Sequence, residues 1–210
     1  MARGESPVPA AVICHPHPMG GGNMHNGVVM AMADSLASRG MIALRFNFRG
    51  VGASEGTHDD GHGERDDVKG ALDWLAAQPS VDPGRLCLVG YSFGACVGLA
   101  HALEDPRVSA FAAVGLPVQL CDPGVLEALA GSDAAQPAPG VFDCPKLFVT
   151  GERDQVAPPG PLLRLVERLA GPKSVQIASG ADHFWWGSEH EVGEQVAAFL
   201  AGLWVDLTQP

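Results

Sequence analysis

Leu86-Cys87-Leu88-Val89-Gly90-Tyr91-Ser92-Phe93-Gly94-Ala95-Cys96-Val97-Gly98-Leu99-Ala100 holds the most constrained local pattern in the chain. An apolar run enters Gly90-Tyr91-Ser92-Phe93-Gly94, and small residues follow. The pattern is G-x-S-x-G between a buried strand and a helix with no polar face. A serine on so sharp a strand-to-helix turn projects its hydroxyl above the sheet on a strained backbone. The residues two before and two after crowd that backbone, so both are glycine. The next N–H, from Phe93, falls at a helix N-terminus, where partial positive charge favours a developing oxyanion. The competing reading is a plain glycine-flanked turn; strand before and helix after favour a nucleophile.

A serine nucleophile needs a histidine and a carboxylate later in the chain. Phe148-Val149-Thr150-Gly151-Glu152-Arg153-Asp154 reads as a strand, a glycine turn and an acid, followed by Gln155-Val156-Ala157-Pro158. Val175-Gln176-Ile177-Ala178-Ser179-Gly180-Ala181-Asp182-His183-Phe184 reads as a strand and a loop that carries a histidine. Each is weak alone. In the order Ser, Asp, His, each at the C-terminal end of a predicted strand, they reinforce one another.

Working outward, the 210 residues predict one domain that buries roughly 70% of its unfolded surface. Hydrophobic content of 46% against 18% charged is that of a globular chain. A net charge of −11 argues against a nucleic-acid partner, which wants a basic face. No apolar run approaches the ~18 residues of a membrane span, and Met1-Ala2-Arg3-Gly4-Glu5-Ser6 lacks the apolar core of a secretory leader. Cys14, Cys87, Cys96, Cys121 and Cys144 are odd in number and scattered. They read as free, largely buried thiols in a reducing, cytoplasmic setting, with no disulfide frame.

Strands and helices alternate. Pro9 to Cys14 reads as a strand, followed by a Gly/Pro-rich loop over residues 15–26. Val29, Met32, Ala33 and Leu36 have the spacing of an amphipathic helix. Residues 41–48 are the next strand, and Val68, Ala71, Leu72 and Leu75 mark a second helix. Strands follow at 110–115, 146–150 and 175–177. Leu162, Leu165, Val166 and Leu169 mark one later helix; Val192, Val196, Phe199, Leu200 and Leu203 mark the last. Such alternation predicts a mostly parallel, six-stranded sheet with helices on both faces, and right-handed crossovers gather Ser92, Asp154 and His183 at one edge. Residues 117–143 are Pro-rich, with one helical patch, and sit where a cap would be inserted.

With these residues in hand the chain resembles the α/β-hydrolase superfamily. The G-x-x-D-x-x-x-P and G-x-x-H-F patterns around Asp154 and His183 are similar to its acid and histidine loops. Cys14-His15-Pro16-His17-Pro18-Met19-Gly20-Gly21-Gly22-Asn23-Met24-His25-Asn26 and Arg45-Phe46-Asn47-Phe48-Arg49-Gly50-Val51-Gly52-Ala53-Ser54-Glu55-Gly56 resemble small, nearly lidless bacterial hydrolases related to dienelactone hydrolase. The resemblance covers essentially the whole chain. It implies hydrolysis of an ester or thioester of a small acyl compound, without cofactor. Members usually begin with an antiparallel hairpin; eight residues precede Pro9, too few for it. The 41–48 strand is therefore expected at an open edge, leaving a monomer or a homodimer.

The expected roles are Ser92 as nucleophile, His183 as base and Asp154 as the residue that orients it. Asp182 and Glu152 are rival acids. Side chains of consecutive residues on an extended loop point apart, which disfavours Asp182, and Asp154 is the acid followed by Val156-Ala157-Pro158. Alignment with the superfamily places the second oxyanion donor at the N–H of His17. Phe184, Trp185 and Trp186, with Leu116 and Met19 opposite, are expected to wall the pocket; their alternative is packing. His15, His17 and His25 form no ligand pattern that a catalytic zinc would need, so no metal is expected. The polar run at His58, Asp59, Asp60 and His62 reads as solvated charge before a helix. Gly20-Gly21-Gly22 misses the dinucleotide spacing. The short cap predicts a shallow pocket with an optimum at two to six acyl carbons. A thioesterase, a peptidase and a ligand-binding protein with incidental turnover remain open.

Overall fold

The computed structural model describes residues 6–130 and 142–204. The reading of Met1 to Ser6 therefore falls outside those residues except at Ser6, as does the 131–141 part of the cap-position segment. Six strands form one sheet: β1 (Val8–Cys14), β2 (Ile42–Arg45), β3 (Val81–Tyr91), β4 (Val108–Val114), β5 (Lys146–Gly151) and β6 (Lys173–Ala178). Their order is β2-β1-β3-β4-β5-β6, and every pair is parallel. β2 lies at the edge, as expected, but takes only four residues of the predicted 41–48. The chain beyond Arg45 turns inward, because Phe48 is fully buried beside His15.

The helices are α1 (Gly27–Ser38), α2 (His62–Ala76), α3 (Phe93–Ala102), α4 (Pro123–Ala130), α5 (Pro159–Arg168) and α6 (Glu189–Gly202). Inward-facing side chains of the strands alternate between two cores. Ala11, Ile13, Val89 and Val149 pack with Val29, Met32 and Leu36 of α1 and Val192, Val196 and Leu200 of α6. Val12, Leu88, Phe111 and Phe148 pack on the other side with Val68, Leu72 and Leu75 of α2, Leu99 of α3 and Leu162 of α5. Burial on both faces explains why the central strands read as unbroken apolar runs. The order reverses between β1 and β3, and the crevice above such a switch point is where ligands bind in sheets of this kind.

The free-thiol reading fails at two positions. Cys96 on α3 and Cys121, which follows β4, form a disulfide with Cα atoms 5.2 Å apart; Cys14, Cys87 and Cys144 are free. The pairing removes the argument from unpaired cysteines for a reducing compartment. Among the described residues no helix is long and apolar enough to cross a membrane.

The 58–64 stretch is also more than solvated charge. Glu64 is fully buried. Its carboxylate accepts from the N–H groups of Asp59 (3.0 Å) and Gly61 (2.9 Å) and pairs with Nδ1 of His58 (2.6 Å). Burial pushes this carboxyl up, but the backbone donors and His58 outweigh it and hold it below the usual range. We expect Glu64→Gln to lower stability by on the order of 2 kcal/mol, since one charged acceptor serves three donors. A carboxyl with a depressed value stabilises the fold above its unfolded value of 4.5 and ceases to do so as pH falls through the folded one. The difference between wild type and variant in urea titrations should therefore be full at neutral pH and shrink below about pH 4. A gap that stays constant into acid would show that charge is not the cause.

Candidate active site

Ser92 sits at the β3–α3 turn with φ 54° and ψ −118°, a conformation costly for any residue but glycine. The glycines around it are there for close approach. A Cβ on Gly90 would come 2.4 Å from the carbonyl oxygen of Gly94, and one on Gly94 would come 2.4 Å from that of Cys14. The strain is held by the Ser92 N–H, which donates to Val114 of β4 at 2.9 Å.

Ser92 Oγ lies 2.9 Å from Nε2 of His183, and Nδ1 of His183 lies 2.8 Å from Oδ2 of Asp154. All three residues are buried. The other oxygen of Asp154, Oδ1, accepts from the N–H groups of Val156 (2.9 Å) and Ala157 (2.6 Å). With Asp154 an acceptor on both sides, Nδ1 of His183 carries the proton and Nε2 is left to accept from the serine.

The rival acids are occupied elsewhere. Asp182 is exposed, and its Oδ1 accepts from the N–H groups of Phe184 (2.9 Å) and Trp185 (3.1 Å), capping the turn after the histidine. Glu152 Oε2 accepts from Ser179 Oγ (3.0 Å) and Gly180 N–H (2.8 Å), tying the acid loop to the histidine loop.

The loop after β1 is built by its own atoms. Both ring nitrogens of buried His15 face backbone: Nε2 accepts from the Phe48 N–H at 3.1 Å, so Nδ1 donates to the Pro16 carbonyl at 2.7 Å. The His17 carbonyl accepts from Gly20 and Gly22, each at 3.0 Å, and a Cβ on Gly22 would fall 2.0 Å from the Pro16 oxygen. Nδ1 of His17 accepts from the Met19 N–H at 3.2 Å, so the imidazole braces this turn in addition to lining the groove. Burial, then the neighbouring His58, lowers the basicity of His17.

Above Ser92 lies a groove of about 600 Å³. His17, Phe93 and Phe184 line it. Four other expected wall residues do not. Met19 is 80% exposed on the outside of its turn, Leu116 is fully buried in the core on the α2–α3 side, and Trp185 is fully buried against α1 and α6. Trp185 has a positive φ of 59°, and its neighbours Phe184 and Trp186 are instead 57% and 79% exposed. The groove continues from Ser92 along α3 to Leu120, Cys121 and Val125 of the cap-position segment.

Comparison with known proteins places this geometry in a family. The model of the X-Pro dipeptidyl-peptidase (S15) family matches residues 2–125, more than half of the chain. The chain belongs to that family. A curated relative, an uncharacterized protein of Rickettsia prowazekii, is 33% identical over 205 residues, covering 95% of this chain and 82% of its own length. An α/β serine hydrolase homologue from Coxiella burnetii superposes with a TM-score of 0.78 at 34% identity, over 94% of this chain and 88% of its own. An α/β serine hydrolase without lid from Xanthomonas campestris gives 0.78 at 28% identity, over 100% and 88%. The fold is thus that of the α/β serine hydrolases.

Two features of this S15-family site escaped the sequence. The Tyr91 hydroxyl donates to the His183 carbonyl at 2.7 Å, fixing the histidine loop from the residue beside the serine. Gly115, with φ +55°, leaves room for the imidazole: a Cβ there would lie 3.2 Å from Cε1 of His183. Position next to Ser92 was the only signal for Tyr91, and Gly115 had none beyond ending a strand.

Proposed function

We propose that the chain is a serine hydrolase that cleaves small carboxylic esters through an acyl-enzyme. Ser92 attacks the acyl carbon while His183 takes its proton, then returns it to the leaving alcohol; Asp154 holds the imidazole in the tautomer that can do this. The N–H groups of His17 and Phe93 stabilise the oxyanion, the second aided by its place at the start of α3. Water, activated by the same histidine, then releases the acid. The chemistry asks for no cofactor. The chain acts as a monomer or as a homodimer paired along β2.

The observation that carries this reading is the continuous hydrogen-bonded line from Ser92 through His183 to Asp154, at 2.9 and 2.8 Å. The S15 family description favours a second reading, a peptidase that uses the same three residues. A thioester substrate would be handled by the same steps. One panel separates them: p-nitrophenyl esters, acyl thioesters, and X-Pro-p-nitroanilides, each with and without prior treatment by a fluorophosphonate. Ester turnover abolished by label on Ser92 alone is expected. Anilide cleavage exceeding ester cleavage would replace esterase by peptidase. Label on Ser92 with no turnover of any substrate would make the chain a binding protein.

A further inference from the structure

The groove above Ser92 has two unlike arms. On one side of the serine it is bounded by glycines 20–22 and Asn26 of the loop after β1. On the other it follows α3, where Phe93, Cys96, Val97 and Ala100 form an apolar floor facing Leu120 and Val125, with the polar Asp60, His62 and Asp122 also lining the groove. Residues three and four apart on a helix share one face, so the four floor residues make a continuous apolar stripe that begins next to the nucleophile. A rise of 1.5 Å per residue puts Ala100 about 10 Å along the axis from Phe93, the length of an extended acyl chain of roughly eight carbons. At that end the apolar surface stops. Arg65 of α2 lines the groove there, and its guanidinium pairs with Glu104, just beyond α3. A longer chain must displace a solvated charged pair and gains no apolar contact in return. The wall is held against the floor by the Cys96–Cys121 disulfide, both of whose residues line the groove.

We infer that the α3 arm is a measuring site for medium-length acyl chains of about eight carbons, with Ala100 and the Arg65–Glu104 pair setting its end and the glycine-lined arm taking the leaving group. This rests on the ester-hydrolase reading and names its substrate class. It replaces the two-to-six-carbon optimum expected from the sequence, because the cap-position segment, though short, lies along the helix and makes a wall.

The test is kcat/KM along p-nitrophenyl esters from two to fourteen acyl carbons. A methylene transferred from water to an apolar wall is worth up to three- to fourfold. Partial burial should therefore still raise kcat/KM at least 30-fold from acetate to octanoate, with a decline past about ten carbons. Ala100→Phe should move the optimum to about four carbons and cut the octanoate-to-acetate ratio at least tenfold. Val125→Trp, on the half-buried opposite wall, should act in the same direction and carries the test if Ala100→Phe melts early. A profile highest at acetate, or a ratio unchanged in both folded variants, overturns the inference. Binding of free octanoate and acetate, measured by calorimetry, separates it from the reaction proposed above. If no ester of any length turns over yet octanoate binds at least tenfold more tightly, the groove assignment stands and the esterase reading fails. Equal binding of the two overturns the groove.

Discussion

Ser92→Ala is expected to lower kcat/KM for a p-nitrophenyl ester by on the order of 10⁶-fold, leaving only what oxyanion donors and binding supply. The hydroxyl that points at Nε2 of His183 is the atom that would form the acyl bond, and no neighbouring side chain can stand in for it. The substitution leaves the fold in place. Alanine at φ 54° carries the same backbone strain as serine, and the N–H that donates to Val114 is retained. Thermal unfolding should therefore shift little, and fluorophosphonate labelling should vanish. A loss below a hundredfold in a variant that melts normally would show that Ser92 is not the nucleophile.

The second large effect concerns the acid. Asp154→Asn should cost about 10⁴-fold in kcat, because the change acts on the histidine proton. At Oδ1 the position faces two backbone N–H donors, from Val156 and Ala157, so an asparagine must turn its carbonyl there. Its NH₂ then faces Nδ1 of His183 and donates to it. The imidazole is forced to keep its proton on Nε2, where it can no longer accept one from Ser92. Asp182→Asn leaves an acceptor for the Phe184 and Trp185 N–H groups and should change kcat less than about threefold, since no proton on His183 is affected. Steady-state kinetics of both variants decide the matter; a larger loss at Asp182 than at Asp154 would reverse the assignment of the acid.

These expectations divide cleanly by where their information lies in the chain. The Ser92 turn was legible because its constraints act within five residues: a serine at positive φ, with neighbours that tolerate no Cβ, admits few sequences. The parallel sheet was legible for a similar reason. Strands buried on both faces must be apolar throughout, and helices between them must carry one apolar stripe. The crossover rule then brings Ser92, Asp154 and His183 to one edge without any further knowledge of side chains.

The remaining features depend on pairs far apart in sequence. Cys96 and Cys121 meet because β4 ends beside α3 and the chain doubles back over it, which no spacing rule encodes. Glu64, in the first turn of α2, is a buried acceptor only because the 58–61 loop folds its N–H groups onto it. Leu116, Met19 and Trp185 are apolar and close in sequence to the site, yet the backbone sends one into the core, one to solvent and one to the far face of the sheet. Hydrophobicity states that a side chain is to be covered, whereas the direction of each Cα–Cβ bond determines what covers it. That direction depends on turn dihedrals a few residues away, and on whether a short segment lies across a helix or away from it.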